Sequence, residues 1–301
     1  MHRNILAIIV AILATTSCFA QLPKIAGGTL KRYERFASKH ITPRTVEVWL
    51  PENYSATKKY AVLYMHDGQM LFDSTNTWNS QEWKVDETLS GLLAKKQIKN
   101  TIVVAVWNNG AYRFSEYFPE KALPNLPDSI SLSLVQNELM GEPQADEYLL
   151  FLTQELKPFI DSTYSTYPDR ANTLIAGSSM GGLISLYAIC EYPEVFGGAA
   201  CLSTHWPGSL RLQNTAIPNG IITYLKQKLP SPKTHKLYFD YGTATLDALY
   251  KPYQQLVDEV MKQKGYSNKN WVTKEFAGEG HSEKAWSKRL HLPLLFLLGI
   301  K

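Results

Sequence analysis

Along this chain, short runs of β-branched and apolar residues alternate with longer segments whose apolar residues recur every three or four positions. The runs at 45–50, 60–66, 101–107, 173–176, 198–202, 236–241 and 271–276 predict strands. Segments 83–94, 146–161, 246–263 and the stretch after Ser282 predict helices, with Pro158 expected to kink the second or end it early. Strands alternating with helices in this way bury both faces of a mostly parallel sheet, so the expected class is α/β. One stretch, 108–143, breaks the alternation: it has no clear period and carries Pro119, Pro124, Pro127 and Pro143. It reads as a long irregular excursion that caps or rims a site, because long loops in compact domains concentrate function.

Residues 1–20 follow another rule. His2 and Arg3 give a basic start, 5–13 an apolar run, and Cys18-Phe19-Ala20 a small-residue cleavage site, which is the layout of a secretory signal peptide cleaved after Ala20. The apolar run is shorter than the ~20 residues a membrane span needs, so no stable span is expected after cleavage. A lipoprotein leader lipidated at Cys18 is the alternative, with Thr15 standing where Leu is expected. The remainder, 21–301, has no linker or internal repeat to divide it and is expected to form a single domain, periplasmic or secreted.

Composition adds exclusions more than assignments. With 45% hydrophobic and 19% charged residues, 301 residues are enough for one large core. The formal charge of +4 is spread along the chain without a basic stripe, so nucleic acid is not an expected partner. Cleavage would leave Cys190 and Cys201, expected as buried free thiols, with a disulfide between them as the alternative and no metal or redox spacing.

The strongest chemical signal is Gly177-Ser178-Ser179-Met180-Gly181-Gly182, placed between a predicted strand and a predicted helix. A serine on such a turn is exposed at a helix N-terminus, where a developing anion is stabilised, and glycines two residues either side leave room for the turn. A serine hydroxyl needs a base, and the base needs an acid to orient it. His281, in Gly278-Glu279-Gly280-His281-Ser282 after the last predicted strand, fits the base. His66 and His205 lie near strand ends, while His40, His235 and His291 read as surface or packing residues. For the acid, Asp247 is the first choice because it lies beyond the strand, at the carboxyl edge where α/β sites collect; Asp240, inside the strand pattern, is the second. The expected oxyanion donors are the backbone N–H groups of Met180 and of Gln69, the latter in His66-Asp67-Gly68-Gln69-Met70, where Gly68 permits an unusual backbone conformation.

These residues, together with Tyr60 to Gln69, Leu71-Phe72-Asp73, Trp83 with Asp86, Arg113 with Glu116-Tyr117, Glu155 to Asp161 and Gly280-His281, resemble the putative-esterase family of α/β-hydrolases. That family holds enterochelin esterases, feruloyl and acetylxylan esterases, formylglutathione hydrolase and mycolyltransferases, and the likeness covers nearly all of 21–301. It implies the α/β-hydrolase fold, the Ser179, Asp247 and His281 triad, and the Gln69 and Met180 amides. The His66 to Gln69 form leans toward the enterochelin-esterase-like branch. Family members commonly place the acid only a few residues after the glycine matching Gly242, a slightly shorter gap than here, which leaves Asp240 open.

The expected activity is therefore hydrolysis of carboxylic esters through an acyl-enzyme, on a siderophore ester or an acyl group of a polysaccharide, while export disfavours formylglutathione. An acyltransferase using the same acyl-enzyme is the alternative, and a non-catalytic binding protein on the same fold is a third reading. Arg113, Glu116, Tyr117, His205 and Trp206 are the expected substrate-binding residues, with Arg113 pairing only with Glu116 as the structural alternative. No motif calls for a metal or cofactor.

Overall fold

The structure is a computed structural model describing residues 22–300, so the expected signal peptide at 1–20 lies outside the described residues. Eight strands form one sheet: β1 (Thr29–Phe36), β2 (Arg44–Leu50), β3 (Ala61–His66), β4 (Thr101–Val106), β5 (Thr173–Ser178), β6 (Gly198–Leu202), β7 (Lys236–Gly242) and β8 (Trp271–Phe276). Their order is β1-β2-β4-β3-β5-β6-β7-β8, with β1–β2 and β2–β4 antiparallel and every other pair parallel. Every residue of β3, β4, β5 and β6 is buried, which is why these strands read as continuous apolar runs rather than alternating ones.

The helices are α1 (Val85–Ala94), α2 (Arg113–Tyr117), α3 (Asp128–Asn137), α4 (Ala145–Leu150), α5 (Lys157–Thr163), α6 (Met180–Glu191), α7 (Ala216–Lys228), α8 (Lys251–Gln263), α9 (Glu283–Arg289) and α10 (His291–Leu298). Leu89, Trp286 and Leu294 bring α1, α9 and α10 onto one face of the sheet. Tyr148, Ile160, Leu186, Ile221 and Val257 bring α4 to α8 onto the other. The mostly parallel sheet with helices on both faces is the architecture the sequence implies.

Four differences have local causes. β1 is an edge strand of sequence TLKRYERF with Leu30 as its one buried residue, so it carries no apolar pattern to read. Helix α7 contains Pro218 and Gly220, which mask its period. Pro158 does not end its helix early: a π-helical segment, Phe151–Leu156, joins α4 to α5, and α5 runs on past Pro158 to Thr163. The stretch 108–143 is not irregular. It folds into α2, α3 and two 3₁₀ segments, Gly110–Tyr112 and Glu120–Asn125, too short or too exposed to show a period. Cys190 and Cys201 are buried free thiols, and burial raises the pKa of both.

Candidate active site

The turns after β3, β5, β7 and β8 meet at the carboxyl edge of the sheet. β5 ends at Ser178, and Ser179 adopts φ 57°, ψ −123° before α6 begins at Met180. Such a conformation costs on the order of 1–3 kcal/mol and persists only where its surroundings hold it. Here the Ser179 N–H donates to the Leu202 carbonyl at 2.9 Å, while its own carbonyl accepts from the N–H groups of Gly182, Leu183 and His205. Gly177 is needed for contact: a Cβ there would sit 2.6 Å from the Gly181 carbonyl oxygen. The Met180 N–H, in the first turn of α6, has no acceptor within the helix.

Asp247 sits in the 3₁₀ segment Thr245–Leu249 after β7, fully buried. One carboxylate oxygen accepts from His281 Nδ1 at 2.6 Å; the other accepts from the Gly242 N–H at 2.6 Å and the Ser203 hydroxyl at 2.5 Å. Burial works to raise its pKa, but His281 and these donors outweigh it and leave the pKa below the usual carboxylate range. His281 is held from its own side as well, its N–H donating to Thr245 Oγ1 at 2.8 Å and its ring lying edge-on to Trp286.

Asp240 does not touch His281. Its carboxylate accepts from Arg289 Nη2 at 3.0 Å and the Tyr238 hydroxyl at 3.2 Å, and burial raises its pKa to about 6. Arg289 Nη2 also donates to Ser203 Oγ at 2.9 Å, as does Trp286 Nε1 at 2.9 Å. A chain of contacts thus runs Asp240, Arg289, Ser203, Asp247, His281. The two carboxylates seven positions apart in sequence divide the work: one faces the imidazole, the other anchors the cation behind it.

The turn after β3 is built differently. Asp67 takes the left-handed conformation, φ 56°, and Gly68 does not; what Gly68 supplies is space, since a Cβ there would lie 2.7 Å from the Ala105 carbonyl carbon. The Asp67 carboxylate accepts from Arg113 Nε and Nη2, both at 2.7 Å, and from Asn108 Nδ2 at 2.7 Å. Burial alone would raise its pKa, and Arg113 turns the balance so that it is lowered. The Asn108 N–H donates to Gln69 Oε1 at 3.2 Å, tying the Gln69 side chain to the neighbouring loop.

A cavity of about 650 Å³ joins these turns, lined by Ser179, His281, Gln69 and Arg113 and walled by Trp78, Asn79, Gln81, Asn108, Glu283 and Trp286. Of the expected substrate-binding residues, Arg113 lines it, paired with Asp67 and not with Glu116. The other four are buried and do not line this cavity. Glu116 is fully enclosed in a two-bonded ion pair with Arg44 at 2.6 and 2.7 Å, and Tyr117 is buried beside His66 and Tyr148. Trp206 is buried with its indole N–H on Gln254 Oε1 at 3.0 Å. His205 is buried behind Ser179: its Nε2 lies 3.2 Å from the Ser209 carbonyl, which can only accept, so Nδ1 is the acceptor for the Tyr250 hydroxyl at 2.8 Å. Burial lowers the His205 pKa to about 4 and that of His66, also buried, to about 3.

Sequence reasoning missed Tyr250, Ser203, Arg289 and Trp78. The Tyr250 phenol, donating to His205, keeps lone pairs within hydrogen-bonding reach of the Ser179 hydroxyl. Trp78 is 84% exposed on the cavity rim. None of the four sits in a recognisable motif, and only the unusual presence of an indole in a polar stretch hinted at Trp78.

A family model described as "Putative esterase" matches residues 39–296. The chain is 27% identical over 226 residues to an endo-1,4-beta-xylanase/feruloyl esterase of Xylanibacter ruminicola, covering 73% of this chain and 25% of that protein. It is similar to the structure of a ferulic acid esterase, with a TM-score of 0.65 and 20% identity over 90% of this chain and 98% of the other. The enterobactin esterase of Shigella flexneri superposes with a TM-score of 0.63 and 18% identity, covering 92% of this chain and 60% of the other.

Proposed function

The chain belongs to this esterase family and is a carboxylic-ester hydrolase, and from that premise we propose that it is an exported serine esterase, residues 21–301 after loss of a signal peptide, with Ser179 as nucleophile, His281 as base and Asp247 as acid. The observation that carries the assignment is the 2.6 Å bond between Asp247 and His281 Nδ1, with His281 and the strained Ser179 lining one cavity. With Nδ1–H given to Asp247, His281 Nε2 is the free basic nitrogen. The Ser179 proton passes to Nε2 as Oγ attacks the ester carbonyl carbon, and the Gln69 and Met180 N–H groups receive the oxyanion. The carbon–oxygen bond to the alcohol then breaks, with the Nε2 proton leaving on the alcohol. Water, giving a proton to the same nitrogen, attacks the acyl-enzyme; the acid departs and Ser179 recovers its proton.

For the substrate, the lining favours an acyl group on a polysaccharide over a siderophore ester. The charged groups on the cavity wall are Asp67, Arg113 and Glu283, and Arg113 is bonded through two nitrogens to Asp67. A polyanionic catecholate would find no uncompensated cation there. The amides of Gln69, Asn79, Gln81 and Asn108, with an exposed indole at Trp78, suit hydroxyl-rich, uncharged rings.

The test is hydrolysis of p-nitrophenyl acyl esters, methyl ferulate, acetylated xylan and a catecholate siderophore ester by the mature protein and by Ser179→Ala. Turnover lost in the folded variant, with polysaccharide esters or ferulate preferred, supports the reading. A folded, active Ser179→Ala protein would refute the nucleophile, and preference for the catecholate ester would refute the substrate class.

A further inference from the structure

The amino ends of β5 to β8 border a second cleft of about 740 Å³, at the sheet edge opposite Ser179. A strand of six residues spans roughly 20 Å, so the two sites are about one strand length apart. Its walls carry Lys99, Arg170, Lys233, Lys236 and Lys269 against a single carboxylate, Asp169, while Leu174, Leu297, Ala171 and Pro232 supply apolar surface. Setting aside Lys236, whose ammonium donates to the Phe296 carbonyl at 3.2 Å, four cations and one anion leave a formal charge of +3 in this cleft. Cations that stand far apart in sequence, at 99, 170, 233 and 269, are brought together here by the fold, from the residues preceding β4, β5, β7 and β8.

Lys99 donates to Asn172 Oδ1 at 3.0 Å and Arg170 to the Pro193 carbonyl at 3.5 Å, and neither meets a carboxylate among the described residues. Asp169 turns both carboxylate oxygens to Asn172 Nδ2, at 2.9 and 3.1 Å. Lys233 and Lys269 are exposed and enter no ion pair among the described residues. A cleft lined by one sign of charge focuses its field and concentrates counter-ions. The cations come from four separate connections and, apart from Arg170, are flexible lysine point charges rather than a guanidinium fork, so they match several spaced anionic groups better than one phosphate.

We propose that this cleft is a second binding site for a linear, carboxylate-bearing polysaccharide, holding the chain at the edge of the sheet opposite the cavity of Ser179. A concave site with an apolar floor admits a glycan chain laid along it, whereas a membrane surface needs a projecting face. The site makes no use of the catalytic groups, so its occupancy is separable from hydrolysis.

The experiment is titration of the mature protein with polygalacturonate at low and high salt, beside Lys233→Glu/Lys269→Glu, with dextran as the neutral chain and phosphatidylglycerol vesicles as the competing surface. The expected result is binding of polygalacturonate but not dextran, weakened by added salt and by about tenfold in the double variant. Hydrolysis of a p-nitrophenyl ester should be the same in both proteins. Absence of polygalacturonate binding, binding undiminished in the double variant, or binding to the vesicles in its place would each overturn the proposal.

Discussion

At the carboxyl edge of the sheet, Asp240, Arg289, Ser203 and Asp247 are buried and bonded to one another, whereas at the amino edge Lys99, Arg170, Lys233 and Lys269 have no carboxylate partner among the described residues. The first arrangement fixes direction. Charges removed from water are costly unless paired, and once paired they hold each other in a single geometry that salt scarcely screens. The second fixes nothing and projects a field instead, on long side chains free to follow whatever anion arrives. The same residue types therefore serve orientation at one edge and attraction at the other, and burial makes the difference.

This contrast can be broken at several points. Ser179→Ala should have the largest effect, lowering kcat by about 10⁵-fold or more with the fold intact by circular dichroism. Asp247→Asn should cost about 10⁴-fold in kcat, because an amide can donate to His281 Nδ1 and hold the wrong tautomer. Arg113→Ala releases Asp67 and loosens the turn that carries Gln69, so kcat should fall by about 10²-fold with KM little changed; a rise in KM alone would instead mark Arg113 as a substrate contact.

The buried network can also be probed by pH. The pKa of Asp240 is raised to about 6, so the folded state holds its proton where the unfolded chain has lost it. Its contribution to stability therefore falls as pH rises from about 4 to about 6 and is constant above that window. Asp247, with a lowered pKa, works in the opposite sense: its stabilisation is present above the unfolded carboxylate range and is lost as pH falls. The difference in Tm between the wild type and Asp240→Asn should change across pH 4–6 and stay flat above pH 7, measured by calorimetry. Smallest of all, Lys233→Glu/Lys269→Glu should leave kcat and KM for a small neutral ester unaltered, and a changed kcat would mean that the two edges are coupled.

Much of the fold could be read directly because its signals are local. A buried parallel strand must be apolar on both faces, so β3 to β6 announce themselves, and Gly177 is demanded by the approach of Gly181 four residues on in the same turn. Elements without such a constraint were invisible: β1 needs only an antiparallel neighbour and one buried leucine, α2 is too short to set a period, and α3 buries only Leu134.

The amino-acid sequence by itself determined the alternation of strands and helices, the strand–turn–helix that strains Ser179, and the placement of a histidine after the last strand. It ranked Asp247 above Asp240 by position alone, and it could not say that Arg113 meets Asp67 while Glu116 meets Arg44. Those outcomes rest on which connections cross at the edge of the sheet, and partners such as Arg44 and Glu116 lie 72 positions apart in the chain. Charge pairing is a property of distance and burial, and both are set only when the strands take their places.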